Sequence, residues 1–207
     1  MKFLTVFGLC MLILTGCTRY DAAVTPSATD TKSPSPTPFD CLAELRQANA
    51  REESPVLVNC DLAGAYLYHF DLVGANLTGA NLTGAKLEFV NLSGANLTGA
   101  NLVDAILYKA NLTDANLTDV VLHRANLSGA ILKGTNLDGA DLSNAIFTGA
   151  DLNGANLNNA NLTGAYFEGV DLRNANLTGA NRTSSDFRDA IFCGTIMPSG
   201  VMNNNNC

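Results

Sequence analysis

A chain of 207 residues that is 47% apolar and 15% charged, with 18 Gly, 6 Pro and no Trp, suits one or two domains and is too apolar for a wholly disordered polymer. No uninterrupted apolar run reaches the roughly 18 residues of a spanning helix, which excludes an integral membrane bundle. The formal charge of −7, with only 12 Lys and Arg, disfavours nucleic acid, whose phosphates are bound mainly by basic neutralisation.

The N-terminus reads as an address. Lys2 precedes the apolar stretch Phe3 to Leu14, which has the charge and length of a secretory signal over residues 1–16. Leu14-Thr15-Gly16-Cys17 resembles the lipobox of bacterial lipoproteins, in which the Cys17 thiol is acylated and the preceding peptide removed. An unmodified Cys17 behind an ordinary cleavage site is the alternative, and lipidation is favoured because Gly16-Cys17 falls directly behind the apolar core. Two or more acyl chains anchor stably, whereas one gives only marginal binding. The expectation is an exported protein held on a membrane by its N-terminal lipid, on the periplasmic or outer-surface side, or in a thylakoid lumen if the source is cyanobacterial. Residues 17–38 carry four of the six prolines among Ser and Thr, with little to bury, and read as a tether.

Residues 39–56 read as an N-terminal cap. Thr37-Pro38-Phe39-Asp40 supplies an N-cap hydroxyl, a proline at the first helical position and an acid at the third. Cys41, Leu42, Leu45 and Ala48 then fall on one apolar stripe, which predicts a short helix lid.

From Leu62 to Phe192 every fifth position is large and apolar with one exception. Of these 27 positions 22 are Leu, four are Phe (147, 167, 187 and 192) and one is Arg182. Two residues before each sits a small residue, Ala in 20 of 27, and between the two lies Asn or Asp in 19 of 27. A period of five suits neither a 3.6-residue helix nor a two-residue strand repeat. Fixed self-similarity of this kind predicts a solenoid whose units bury apolar side chains only against their neighbours.

The A-(N/D)-L-x-x array resembles the pentapeptide-repeat family over about 130 residues. The resemblance implies a right-handed quadrilateral parallel β-helix over 57–192, all-β, with four pentapeptides per coil and the small residue and the Leu or Phe pointing inward. The chain supports a 20-residue coil independently. Eight residues break the Asn/Asp position, and five of them (Tyr66, Lys86, Ile106, Ile146 and Tyr166) fall in a single series spaced by 20. That series predicts one distinct face. About seven coils at the ~4.8 Å strand spacing give a rod about 30 to 35 Å long. Phe147, Phe167 and Phe187, 20 apart, should stack inside it. Asn ladders between coils are expected along each face. Residues 193–207 read as the C-terminal cap, and Arg182 and Ser185 suggest that the last coil opens.

Apart from Cys10 in the signal and Cys17, four cysteines remain: Cys41, Cys60, Cys193 and Cys207, an even number in an exported chain. Three pairings are conceivable. On the implied rod Cys60 and Cys193 stand about 30 Å apart, while a disulfide needs Cα atoms within about 7 Å, leaving Cys41–Cys60 and Cys193–Cys207. Reduced thiols are the plainer alternative. The ending FCGTIMPSGVMNNNNC resembles the tails of exported cyanobacterial members of the family, which supports the second bridge.

Tyr66, Tyr68, Tyr108 and Tyr166 lie on the irregular face with His69, Lys86 and Phe89. Aromatic side chains are enriched where proteins bind one another, so this face is the candidate docking surface, against a background of scattered surface aromatics. His69 and His123 fall on different faces, so no triad or metal cluster forms from them, and neither enzyme activity, metal nor cofactor is expected. Asp104, Asp114 and Asp119, close in sequence, read as a solvated acidic patch rather than a cation site. The reading favoured is a non-enzymatic envelope lipoprotein that scaffolds an unknown envelope protein. Two alternatives stand beside it: a DNA-mimicking, gyrase-protecting rod, implied by the family resemblance, and a polysaccharide-active β-helix enzyme, which needs clustered carboxylates that are not seen.

Overall fold

The computed structural model describes residues 41, 43–45, 47, 48, 53–205 and 207. Every described residue belongs to one compact unit, Pro34–Cys207. The signal segment 1–16, Cys17, the tether 17–38, the Thr37 to Asp40 helix start and Leu42 lie outside the described residues.

The repeat 76–80 shows why the sequence spells N-L-T-G-A. Asn76 donates its backbone N–H to Pro55 one coil below (2.9 Å), and Leu77 donates to the Asn96 carbonyl one coil above (2.7 Å). Thr78 N–H donates to the Asn76 side-chain oxygen at 3.2 Å, and its hydroxyl to the same atom at 2.7 Å. Gly79 donates upward to Thr98 (2.9 Å), and Ala80 closes a turn onto Leu77 (3.0 Å). All five backbone donors are satisfied within one pentapeptide, the condition for burying a chain with almost no regular strand. The second residue after each Leu or Phe takes a positive φ, 65° at Gly79, the third position of a type II turn.

Successive coils meet through single parallel bridges between residues 20 apart. Four such columns exist, and that starting at Val56 runs through Asn76, Asn96, Asn116, Asn136, Asn156 and Asn176 to Ile196. The result is a four-sided parallel β-helix. Seven steps of ~4.8 Å make this column about 34 Å tall.

The inward positions carry the core. Leu57 to Leu177 at the large positions are buried with Phe147 and Phe167, and the small positions beside them are mostly buried Ala. Three hydroxyls at small positions are held by carbonyls of the coil beneath: Thr135 donates to Leu112 (2.8 Å), Ser185 to Leu162 (2.9 Å) and Thr195 to Leu172 (2.6 Å). Phe147, Phe167 and Phe187 stack as their spacing predicts, with centroids 4.8 and 4.9 Å apart. Near the C-terminal end the packing loosens: Arg182 is exposed, and Phe187 and Phe192 are only partly buried.

The asparagine ladders need correction. Most Asn oxygens serve their own repeat, capping the N–H two residues on, as at Asn96, Asn111 and Asn126. Links between coils occur at selected places, such as Asn156 to Asn136 (2.9 Å) and Asn161 to Asp141 (3.1 Å). The local bond wins because the oxygen already sits over the turn, where it satisfies a donor that nothing else reaches.

The described residues between 41 and 48 are helical, and Cys41, Leu45 and Ala48 are buried. Cys41 is disulfide-bonded to Cys60 (Cα–Cα 5.8 Å) and Cys193 to Cys207 (4.8 Å). At the far end β1 (Thr195–Ile196) pairs antiparallel with β2 (Met202–Asn203), while Ile196 still bridges Asn176. The reversal occupies the open edge of this one column, at which a further parallel strand would otherwise add.

Candidate functional site

The turn position that favours glycine organises the surface. Along the repeats it holds fifteen glycines and thirteen other residues, all at positive φ. Eight of the thirteen are Asn or Asp, which tolerate this region, and one is Ser184. The four bulky ones are His69 (φ 58°), Phe89 (58°), Lys109 (54°) and Arg124 (57°). Arg124 has a local reason to be there. It donates to both oxygens of Asp104, one coil below, from Nε at 2.7 Å and from the terminal nitrogen at 2.6 Å. This pairing holds the Asp104 carboxyl below its ordinary range.

His69, Phe89 and Lys109 stand one above another in three successive coils, and they are the centre of the aromatic group. His69 stacks on Phe89 with centroids 5.0 Å apart. Tyr68 meets His69 edge-on at 4.3 Å and Phe89 at 5.6 Å. Tyr108 closes on Phe89 at 5.7 Å, and the Lys109 ammonium lies 5.2 Å from the centre of the Tyr108 ring. These rings stay open to solvent: Tyr68 is 50%, Phe89 38% and Tyr108 37% exposed.

Tyr66 flanks the group, 79% exposed, and its backbone bridges Lys86 in the next coil. Tyr166 does not join them. It belongs to the same column through Ile106, Asn126 and Ile146, but lies five steps from Tyr66, about 24 Å. The seven candidate residues therefore share one face yet form one cluster and one outlier.

Glu88 and Lys109 belong to the cluster although sequence reasoning did not single them out. Glu88 occupies the register between Tyr68 and Tyr108, and its Oε2 is shut off from solvent without a hydrogen-bond partner among the described residues. The signal available was the 20-residue spacing of positions 68, 88 and 108.

The acidic patch dissolves on folding. Asp104, Asp114 and Asp119 sit on three different sides of the tube, since five residues advance the chain by one face. Among the described residues no group of three or more His, Cys, Asp or Glu is placed to hold a metal ion. His123 lies on another face from His69, with Nδ1 2.8 Å from the Ser143 hydroxyl. No described helix is long and apolar enough to cross a membrane.

Comparison with known proteins agrees with this architecture. The family model described as pentapeptide repeats, 8 copies, matches residues 57–88, 85–124, 121–159 and 155–194. Among solved structures the chain is similar to HetL, a pentapeptide repeat protein involved in heterocyst differentiation regulation from the cyanobacterium Nostoc sp. strain PCC 7120, at 37% identity over 73% of each chain (TM-score 0.38). It is similar to Rfr23 from the cyanobacterium Cyanothece 51142 at 26% identity, covering 70% of this chain and 98% of that one (TM-score 0.34). Trypsin-treated QnrB1, a plasmid-mediated fluoroquinolone resistance protein, is 22% identical over 65% of this chain and 73% of its own, with a TM-score of 0.54 that speaks for the fold. No curated protein matches.

Proposed function

The chain belongs to the pentapeptide-repeat family, and on that premise we propose that it is a non-enzymatic scaffold, anchored in a bacterial envelope, whose aromatic face docks a protein partner. The observation that carries this reading is the ring cluster Tyr68, His69, Phe89 and Tyr108, exposed on the outside of a column whose interior is filled. Catalysis needs convergent groups in a sheltered cleft, and the packed Leu and Ala interior leaves none inside the column.

In this reading the column is right-handed and has about seven coils, closed by the helical segment at one end and the β1–β2 hairpin at the other. Acylation of Cys17 and the tether 17–38 then hold it off the membrane, on the exported side. The DNA-mimicking alternative asks for a free acidic face, and Asp104, Asp171 and Asp186 are each paired with an arginine.

Crosslinking in intact cells, followed by mass identification of what attaches, tests the docking face. Replacing Tyr66, Tyr68 and Tyr108 together by Ser should abolish the crosslinked product, while Tyr166→Ser alone should spare it. Unchanged capture by the triple variant would remove this face from the proposal. A mass measurement on the purified chain reports acylation of Cys17.

A further inference from the structure

The aromatic cluster has two features that a greasy surface patch does not need. Three successive coils place His69, Phe89 and Lys109 in the left-handed backbone region where glycine prevails along the tube, a conformation costing on the order of 1 kcal/mol for each side chain. Strain of this kind persists where the surrounding structure enforces it, and it concentrates at sites of function. The second feature is Glu88. Its Oε2 is enclosed and unpaired among the described residues, in the register between Tyr68 and Tyr108. An enclosed carboxyl oxygen without a donor is costly, so a ligand that draws the Glu88 side chain outward and supplies a donor is favoured twice, by the new bond and by relief of the penalty.

Resting on the docking reading above, we infer that this cluster receives an arginine side chain of the partner, its guanidinium donating to Glu88 and lying against the rings of Tyr68, Phe89 and Tyr108. The rings present negative faces, which attract a cation, and guanidinium is flat enough to stack while it donates to a carboxylate. The chain itself already places a cation on one of these rings, with the Lys109 ammonium 5.2 Å from the centre of Tyr108. Lys86 and Lys109 are the neighbouring positive charges, and among the described residues neither forms an ion pair with Glu88. The entering arginine displaces Lys109 from Tyr108, and the Glu88 side chain turns out of its enclosure to accept from it. The net charge of −7 favours a basic partner at long range.

The test is an NMR titration of the isotope-labelled full-length chain with the tripeptide amide Gly-Arg-Gly, and in parallel with Gly-citrulline-Gly, which has the same shape and no charge. The arginine peptide should shift the amides of Tyr68, Glu88, Phe89 and Tyr108 saturably, and the citrulline peptide should not. Glu88→Gln keeps the size of the side chain and should weaken binding about tenfold with the fold intact by circular dichroism. Shifts spread evenly over the acidic residues, equal binding of the citrulline peptide, no saturable shift at the cluster, or undiminished affinity in Glu88→Gln would each overturn the inference. The docking reading fails separately. If the tyrosine triple variant loses its crosslinked partner while Glu88→Gln binds the peptide undiminished, the face docks a partner but not through arginine.

Discussion

Phe147 and Phe167 lie face to face one coil apart, ring centroids 4.8 Å apart and planes within 7° of parallel. In the same inward column the four coils before them carry Leu67, Leu87, Leu107 and Leu127, so the side chain changes size midway while the inter-coil hydrogen bonds keep their length, 2.7 Å from Leu107 to Asn126 and 2.8 Å from Phe147 to Tyr166. Phe167 is enclosed between Phe147 and Phe187 and has no route to relax along the axis. Phe167→Ala should therefore cost about 3–5 kcal/mol, read as a lowered denaturant midpoint, with Phe167→Leu costing distinctly less.

The left-handed turn position gives a paired prediction. A Cβ on Gly94 meets nothing within 4 Å, so Gly94→Ala isolates the backbone cost and should destabilise by about 1 kcal/mol. Phe89→Gly removes the same cost but forfeits the ring contacts, and should leave stability within about 1 kcal/mol of the parent. Equilibrium unfolding in urea separates the two. A loss of about 3 kcal/mol in Phe89→Gly, the size of a core truncation, would mean that the cluster is structural.

Acid should unfold the column through its carboxylates. Asp171 accepts from Arg173 at 2.5 Å and 2.9 Å, which holds its carboxyl below the ordinary range in the folded chain. A carboxyl depressed on folding stabilises above its unfolded value of about 3.9, and this contribution is lost as pH falls through the lower folded value. Stability should thus fall with acidification below about pH 4, and Asp171→Asn should show a shallower fall over that window, measured as urea midpoint against pH. The Arg173 side chain is half-exposed and solvent screens the pair, so the difference will be modest.

The disulfide Cys193–Cys207 closes a separation of 14 residues around the β1–β2 hairpin. Replacing both cysteines by Ser should cost about 3 kcal/mol by the loop-entropy account and should act locally. Amide exchange should quicken at Thr195, Ile196 and Asn203, and remain slow at Leu97 and Leu117 in the middle of the column.

Much of the fold was legible in the chain because burial leaves a direct trace in a solenoid. Each inward position faces the same environment as the one five residues on, so Leu and Ala recur in step. Even the 20-residue coil was visible, since five of the eight breaks in the pattern, Tyr66, Lys86, Ile106, Ile146 and Tyr166, fall on one side. Less legible was the glycine of each repeat. It occupies the turn position without being required at every occurrence, and the presence of Phe89 or His69 there carries no mark in the sequence that the backbone is left-handed.

The candidate site was legible only as a face. Its membership depends on which outward side chains meet across coils: Glu88 between Tyr68 and Tyr108, Arg124 upon Asp104, Tyr166 stranded five steps away. The amino-acid sequence alone determined the winding, because a side chain's inward or outward direction follows from local repeat position and from the water it must avoid. Only the stacked structure decided the surface chemistry. Neighbours there are 20 residues apart, and outward side chains are free to vary without disturbing the core, so nothing in the repeat constrains which of them lie together.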